Sequence, residues 1–186
     1  MIDRVRYWFW AELAKWSKAI KQSDATLRFY GHALQAKPDD PRVIASMSFE
    51  YAQMGRNREA LATFDRVIAI KPDWDEAHFN RGFLLQQLND HDAALAAFDR
   101  ALACNADHDR ALYGKALSLI STKRQDEAMA PLQRNTKLQP FSPYGWYQLA
   151  RVQFDRGKPD KAQGIIDHLA TFEPKVAAQL ARETGL

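Results

Sequence analysis

Small residues return at a fixed interval of 34 along this chain. Ala14, Ser48, Gly82, Ala116 and Ala150 form one series, and Thr26, Ala60, Ala94, Ala128 and Ala162 form another twelve residues further on. Four residues after each member of the second series stands a larger side chain: Tyr30, Phe64, Phe98, Leu132 and Ile166. The interval closes on Pro38, Pro72, Ala106, Pro140 and Pro174. Small residues facing each other let two helices approach closely, and the larger ones fill the space beside that contact. A unit of this length is a helix–turn–helix that buries its apolar face only by stacking on copies of itself. The phase divides the chain into units 7–40, 41–74, 75–108, 109–142 and 143–176. Asp40-Pro41 and Ser142-Pro143 mark helix starts as an N-cap with proline following, Gly55 and Gly157 sit at turns within units, and Pro159 opens a helix. Beyond Pro174, the residues Val176, Ala177, Leu180 and Ala181 predict a short last helix at about 175–184, with Gln179, Arg182 and Glu183 as its polar side.

The units carry the order W-x2-L-G-x2-Y, A-x3-F, P. The first reads Trp10, Leu13, Ala14, Ser17, Thr26, Tyr30, Pro38; the second Ile44, Met47, Ser48, Tyr51, Ala60, Phe64, Pro72; the fifth Trp146, Leu149, Ala150, Gln153, Ala162, Ile166, Pro174. This resembles the tetratricopeptide repeat (TPR) family over residues 7–176, in one register without insertion or deletion. Thr26, His78, Arg81, Ala106, Lys115 and Gln153 depart from the pattern at scattered positions. The resemblance implies an all-α, right-handed superhelical solenoid of five TPR units plus a C-terminal capping helix, as a single domain over 1–186. It also implies a binding function: a protein-interaction scaffold or adaptor without catalysis, holding a partner protein or peptide in its concave groove.

In TPR proteins the first helix of each unit lines that groove. Carried onto this chain, the lining includes Phe49, Phe79, Asn80, Phe83, Arg110, Tyr113, Leu117, Tyr144, Tyr147 and Arg151. An aromatic at the phase of Phe79, Tyr113 and Tyr147, and Asn80 after it, is ordinary for the family; Phe49 and Phe83 are less so. With Leu117 they suggest apolar anchors, each contributing about 1–3 kcal/mol when buried. The set that would clamp the acidic C-termini of heat-shock chaperones is incomplete. Its five places read Ala45, Phe49, Asn80, Arg110 and Gly114, of which only two are suitable.

The N-terminal segment carries its own signal. Ile2, Val5, Phe9, Leu13, Trp16 and Ile20 make one stripe at helical spacing, with Arg4, Lys15, Lys18 and Lys21 on the other side. Phe9 and Trp16 occupy phases at which a repeat packs on the one before it, and no copy of the pattern precedes Tyr7. The stripe is therefore expected to be a tolerated exposed patch, a contact that makes a homo-oligomer or meets a partner, or an amphipathic face for an anionic membrane.

Composition adds little to this picture. The chain has 186 residues, 46% of them hydrophobic, with eight glycines and eight prolines, as a folded protein does. Twenty-six basic against 23 acidic residues leave +3, which gives no basic stripe for nucleic acid. A single cysteine, no signal-peptide core and no membrane-spanning stretch lead to a cytoplasmic expectation. Two triplets, Asp90-His91-Asp92 and Asp107-His108-Asp109, have metal-ligating residue types but fall in turns at opposite ends of helices, roughly 20 Å apart. No metal, cofactor or catalytic set is expected. Cys104 and His78 are read as core residues, and Asp65 and Asp99 as solvent-facing. Pro131 and Asn135 predict a soft second helix in unit 109–142.

Overall fold

The computed structural model describes residues 2–186. The described residues form helices and turns and no strand. In order, the helices are α1 (Ile2–Ala19), α2 (Ser23–Ala36), α3 (Pro41–Gln53), α4 (Asn57–Ile70), α5 (Asp75–Gln87), α6 (His91–Cys104), α7 (Asp109–Ser121), α8 (Gln125–Leu138), α9 (Pro143–Asp155), α10 (Pro159–Ala170) and α11 (Pro174–Thr184). Helices α3, α5, α7 and α9 begin at residues 41, 75, 109 and 143, where the 34-residue phase places unit starts.

The turn between the two helices of every unit is the same structure. Lys21, Gly55, Asn89, Lys123 and Gly157 stand 34 apart, and each has φ between +58° and +73°. The N–H one residue later donates back five residues, as in Gln22 to Ser17 O at 2.9 Å, Arg56 to Tyr51 O at 2.8 Å and Lys158 to Gln153 O at 3.0 Å. This is a Schellman cap, in which a left-handed residue lets the chain turn while closing orphan carbonyls. Only two of the five positions have glycine, so the sequence marks the turn incompletely. The phase of Gly55 and Gly157 was the signal that could have located the other three.

Two compact units are present, one running through Leu84 and the other Leu85–Leu186. In the first, Ala14, Tyr30, Ala33 and Val43 form one buried cluster and Ile44, Val67 and Ala77 the next, with Phe64 fully enclosed beside Ala60 and Leu84. Trp10 stacks on Phe29 of α2 at 5.7 Å. Asp40 joins three elements: it caps α3 by accepting from Arg42 N (3.0 Å) and Val43 N (3.3 Å), and it also accepts from Lys37 Nζ (2.7 Å) and the Tyr7 hydroxyl (2.9 Å). Glu50 is fully buried in α3, with Lys18 Nζ at 3.1 Å.

In the second unit, Leu95, Ala116, Leu119, Leu132, Leu149 and Val152 make a continuous core, and Ala150, Ile166, Leu169, Ala177 and Leu180 extend it to α11. The contact between α6 and α7 is so close that a Cβ on Gly114 would lie 2.6 Å from the Phe98 ring. Asn135 is buried and donates through Nδ2 to Asp109 O at 2.9 Å. Its oxygen fills the space beside Gly145. A hydrogen bond and a matching glycine thus accommodate Asn135, and Pro131 lies buried within an unbroken α8.

Several departures from the repeat pattern have structural explanations. Arg81 pairs with Asp65 (2.7 Å) and Lys115 with Asp99 (2.5 Å), each joining the second helix of one repeat to the first of the next. These ion pairs stay exposed, so each contributes about 0–1 kcal/mol. His78 donates through Nε2 to Pro72 O at 2.8 Å, as the Trp146 indole does to Pro140 O at the same phase and distance. Ser142 precedes Pro143 in extended conformation, yet its side chain makes no cap hydrogen bond. Cys104 is exposed, not a core residue. It ends α6, where the longer Ile70, Leu138 and Phe172 reach back to half-burial and a thiol does not.

Candidate functional site

The residues expected to line a groove fall in both units. In the first, Phe49 and Phe83 are exposed, Phe49 resting edge-on against the Phe64 ring at 5.8 Å. Asn80 is half-buried. Phe79 is buried, at 8% exposure, with Phe83 stacked on it at 6.2 Å. Of the two rings Phe83 is the one at the surface, with Phe79 packed beneath it.

In the second unit, α7, α9 and α11 converge on a cavity of about 280 Å³ lined by Tyr113, Pro143, Tyr144, Tyr147, Gln148, Val176 and Gln179. Tyr144 is 69% exposed and Tyr113 and Tyr147 are half-buried. Burial pushes the Tyr113 phenol above its ordinary value, against a hydrogen bond with Gln148. Leu117 is half-buried one turn along α7 from Tyr113, and Arg110 is exposed near the start of that helix.

Arg151, expected in the groove lining, donates through Nη1 to Glu183 Oε2 of α11 at 2.9 Å, and the Tyr147 hydroxyl donates to the same oxygen. Gln179 Nε2 holds the other oxygen at 2.8 Å. These hydrogen bonds, Tyr147's first, keep the Glu183 carboxyl below the usual range, and the carboxylate in turn raises the Tyr147 phenol. The sequence suggested only a polar side for α11; which carboxylate it would seat on α9 had no signal.

The two Asp-His-Asp triplets are absorbed by helix starts and turns. Asp90 accepts from Ala93 N at 3.2 Å, His108 Nδ1 accepts from Ala111 N at 3.2 Å, and Asp107 accepts from Arg134 Nη2 at 2.7 Å. Among the described residues, no three His, Cys, Asp or Glu side chains converge as metal ligands, and no helix is long and apolar enough to cross a membrane.

The tetratricopeptide repeat family matches at residues 84–143, and a second family of the same repeat matches at residues 50–89. The chain belongs to the tetratricopeptide repeat family. A crystal structure of MamA protein is similar, with 18% identity over 93% of this chain and 94% of that one, at a TM-score of 0.82. MamA from Desulfovibrio magneticus RS-1 gives 17% identity, 96% of each chain and 0.79. YrrB, described as a TPR protein with an unusual peptide-binding site, gives 18% identity, 93% and 90% coverage and 0.77. Likenesses at this identity establish the TPR solenoid fold. No curated protein matches the chain.

Proposed function

We propose that this TPR protein is a non-catalytic scaffold that holds a peptide or helix of a partner protein on its odd-numbered helices. The observation that carries the reading is the tyrosine cavity of the second unit. Three phenols, a proline and a valine give it an apolar body, and Gln148 and Gln179 place amides at the side. Rings with one polar end suit a peptide that buries side chains while its backbone finds hydrogen bonds. Phe49 and Phe83 supply apolar anchors in the first unit. The similarity to YrrB, a protein with a peptide-binding site, supports the same reading at the level of fold.

The test is selection of binding peptides from a random library, followed by titration against Tyr144→Ala and Phe83→Ala. Tyr144 is 69% and Phe83 46% exposed, and neither belongs to the buried core, so truncating them leaves the core intact. Loss of a buried anchor costs about 1–3 kcal/mol, or roughly 5- to 150-fold in affinity. Selected peptides that bind both variants as tightly as the parent would remove the reading.

A further inference from the structure

We propose that the exposed face of α1 is a self-association surface, on which α1 of a second copy packs antiparallel across a two-fold axis. The face holds Val5, Trp8, Phe9 and Trp16, continued by Ile20 one residue past the helix end; Phe9 and Trp16 are 57% and 70% exposed. A shallow, mostly apolar groove of about 650 Å³ runs along it, lined by Val5, Trp8, Phe9, Leu13 and Trp16 and, as its charged members, Arg4 and Glu12. Its register explains why it is apolar. Phe9 and Trp16 stand at the phases of Val43 and Glu50, Ala77 and Leu84, Ala111 and Ser118, and Gly145 and Val152, every one of which is buried. This is the face that later repeats cover with a neighbouring helix, so a helix is the shape that fits it.

Three observations select a second α1 as that helix. The first is the spacing of the stripe. Val5 and Ile20, and Phe9 and Trp16, are placed symmetrically about the point between Glu12 and Leu13. An antiparallel copy therefore sets Val5 against Ile20 and Phe9 against Trp16, a self-complementary contact that closes as a dimer. The second is area. Five side chains, three of them aromatic and each 54–70% exposed, offer about 700 Å² on each copy, so complete cover by a twin would bury at most roughly 1,400 Å² for a pair, within the range of stable interfaces. The third is charge. Lys15 is tied to Glu12 at 2.5 Å and Lys18 lies 3.1 Å from the buried Glu50, so two of the cations on this helix are engaged within the protein instead of meeting anionic lipid. A head-to-tail contact with α11 of another copy is disfavoured: α11 turns Ala177 and Leu180 inward and leaves Lys175, Gln179, Arg182 and Glu183 exposed.

Sedimentation equilibrium of the 186-residue chain, across the micromolar range, tests the proposal. The expected result is a twofold mass that reverts to monomer in Phe9→Glu/Trp16→Glu, with circular dichroism unchanged because both side chains are exposed. Register is read with a short bismaleimide in a Cys104→Ser background: Glu12→Cys links to its twin, whereas Val5→Cys, about 20 Å from its own twin, does not. A chain that is monomeric throughout overturns the proposal, as does a dimer that survives the double substitution or links through Val5→Cys. Binding of the monomer to phosphatidylglycerol vesicles, lost in the same double variant, would assign the face to a membrane instead.

Discussion

Gly145 and Asn135 form a matched pair, and substituting one should reverse sign according to the state of the other. Alanine at 145 would place its Cβ 2.3 Å from Asn135 Oδ1 and 3.2 Å from Thr136 Cγ2. The amide must then rotate, which breaks its 2.9 Å bond to Asp109 O in a buried site. Leaving a buried amide unsatisfied costs about 1–3 kcal/mol. Alanine in place of glycine within a helix returns about 1 kcal/mol. Gly145→Ala alone should therefore destabilise by up to about 2 kcal/mol. In an Asn135→Ala background the amide obstruction is absent and only the 3.2 Å approach to Thr136 Cγ2 remains, so the same change should stabilise by about 0.5–1 kcal/mol once that methyl gives way. The coupling, about 2 kcal/mol, is read from a double-mutant cycle of urea midpoints at constant slope. Equal effects of Gly145→Ala in the two backgrounds would refute the fit inferred for this contact.

Other outcomes follow from the same structure. Burial, then the hydrogen bond to Asp40, pushes the Tyr7 phenol up to about 12. A phenol kept neutral by folding supports stability fully below its unfolded value near 10 and loses that support as pH rises through about 12, so Tyr7→Phe should flatten the alkaline limb of a pH–stability curve. Burial raises the Asp40 carboxyl, but hydrogen bonds from Lys37, Tyr7 and the α3 backbone outweigh it and hold it below its ordinary value. Its contribution is then present above the unfolded carboxyl range and lost as pH falls through the folded value; Asp40→Asn should remove that acid-side loss, and Asp40→Ala should cost about 0.5–2 kcal/mol as a lost cap. Lys123 adopts φ +60°, so Lys123→Gly should raise the thermal midpoint, by about 0.5–1 kcal/mol of stability. Pro131 supplies no N–H to the Glu127 carbonyl, and hydrogen exchange should be fastest in 109–142 among the interior repeats; uniform protection across the three would contradict this.

What could be read in the sequence was what stacking requires. Ala14, Ala60 and their kin at the same phases are buried because two helices meet there, and each substitution by a larger residue would repeat its damage in any register. Such constraints recur every 34 residues, so five copies state them five times. The turns were half legible, since Gly55 and Gly157 advertise a left-handed residue and Lys21, Asn89 and Lys123 adopt it without advertisement. The ion pairs Arg81–Asp65 and Lys115–Asp99 looked like defects and solvent decoration because each half lies in a different repeat. The candidate site was legible in position but not in orientation. Phe79 and Phe83 share a helix face, and only coordinates show that one ring supports the other. Glu183 engages Arg151 from 32 residues away, in a helix whose sequence shows merely a polar side.

The seating of Glu183 bears on what a partner sequence can contain. Should the tyrosine cavity receive a peptide as proposed, any acidic residue directed at Tyr147 or Arg151 finds a resident competitor tethered at high local concentration. Apolar or neutral guests meet no such rival. On that proposal α11 would select against acidic tails through a single carboxylate of its last turn.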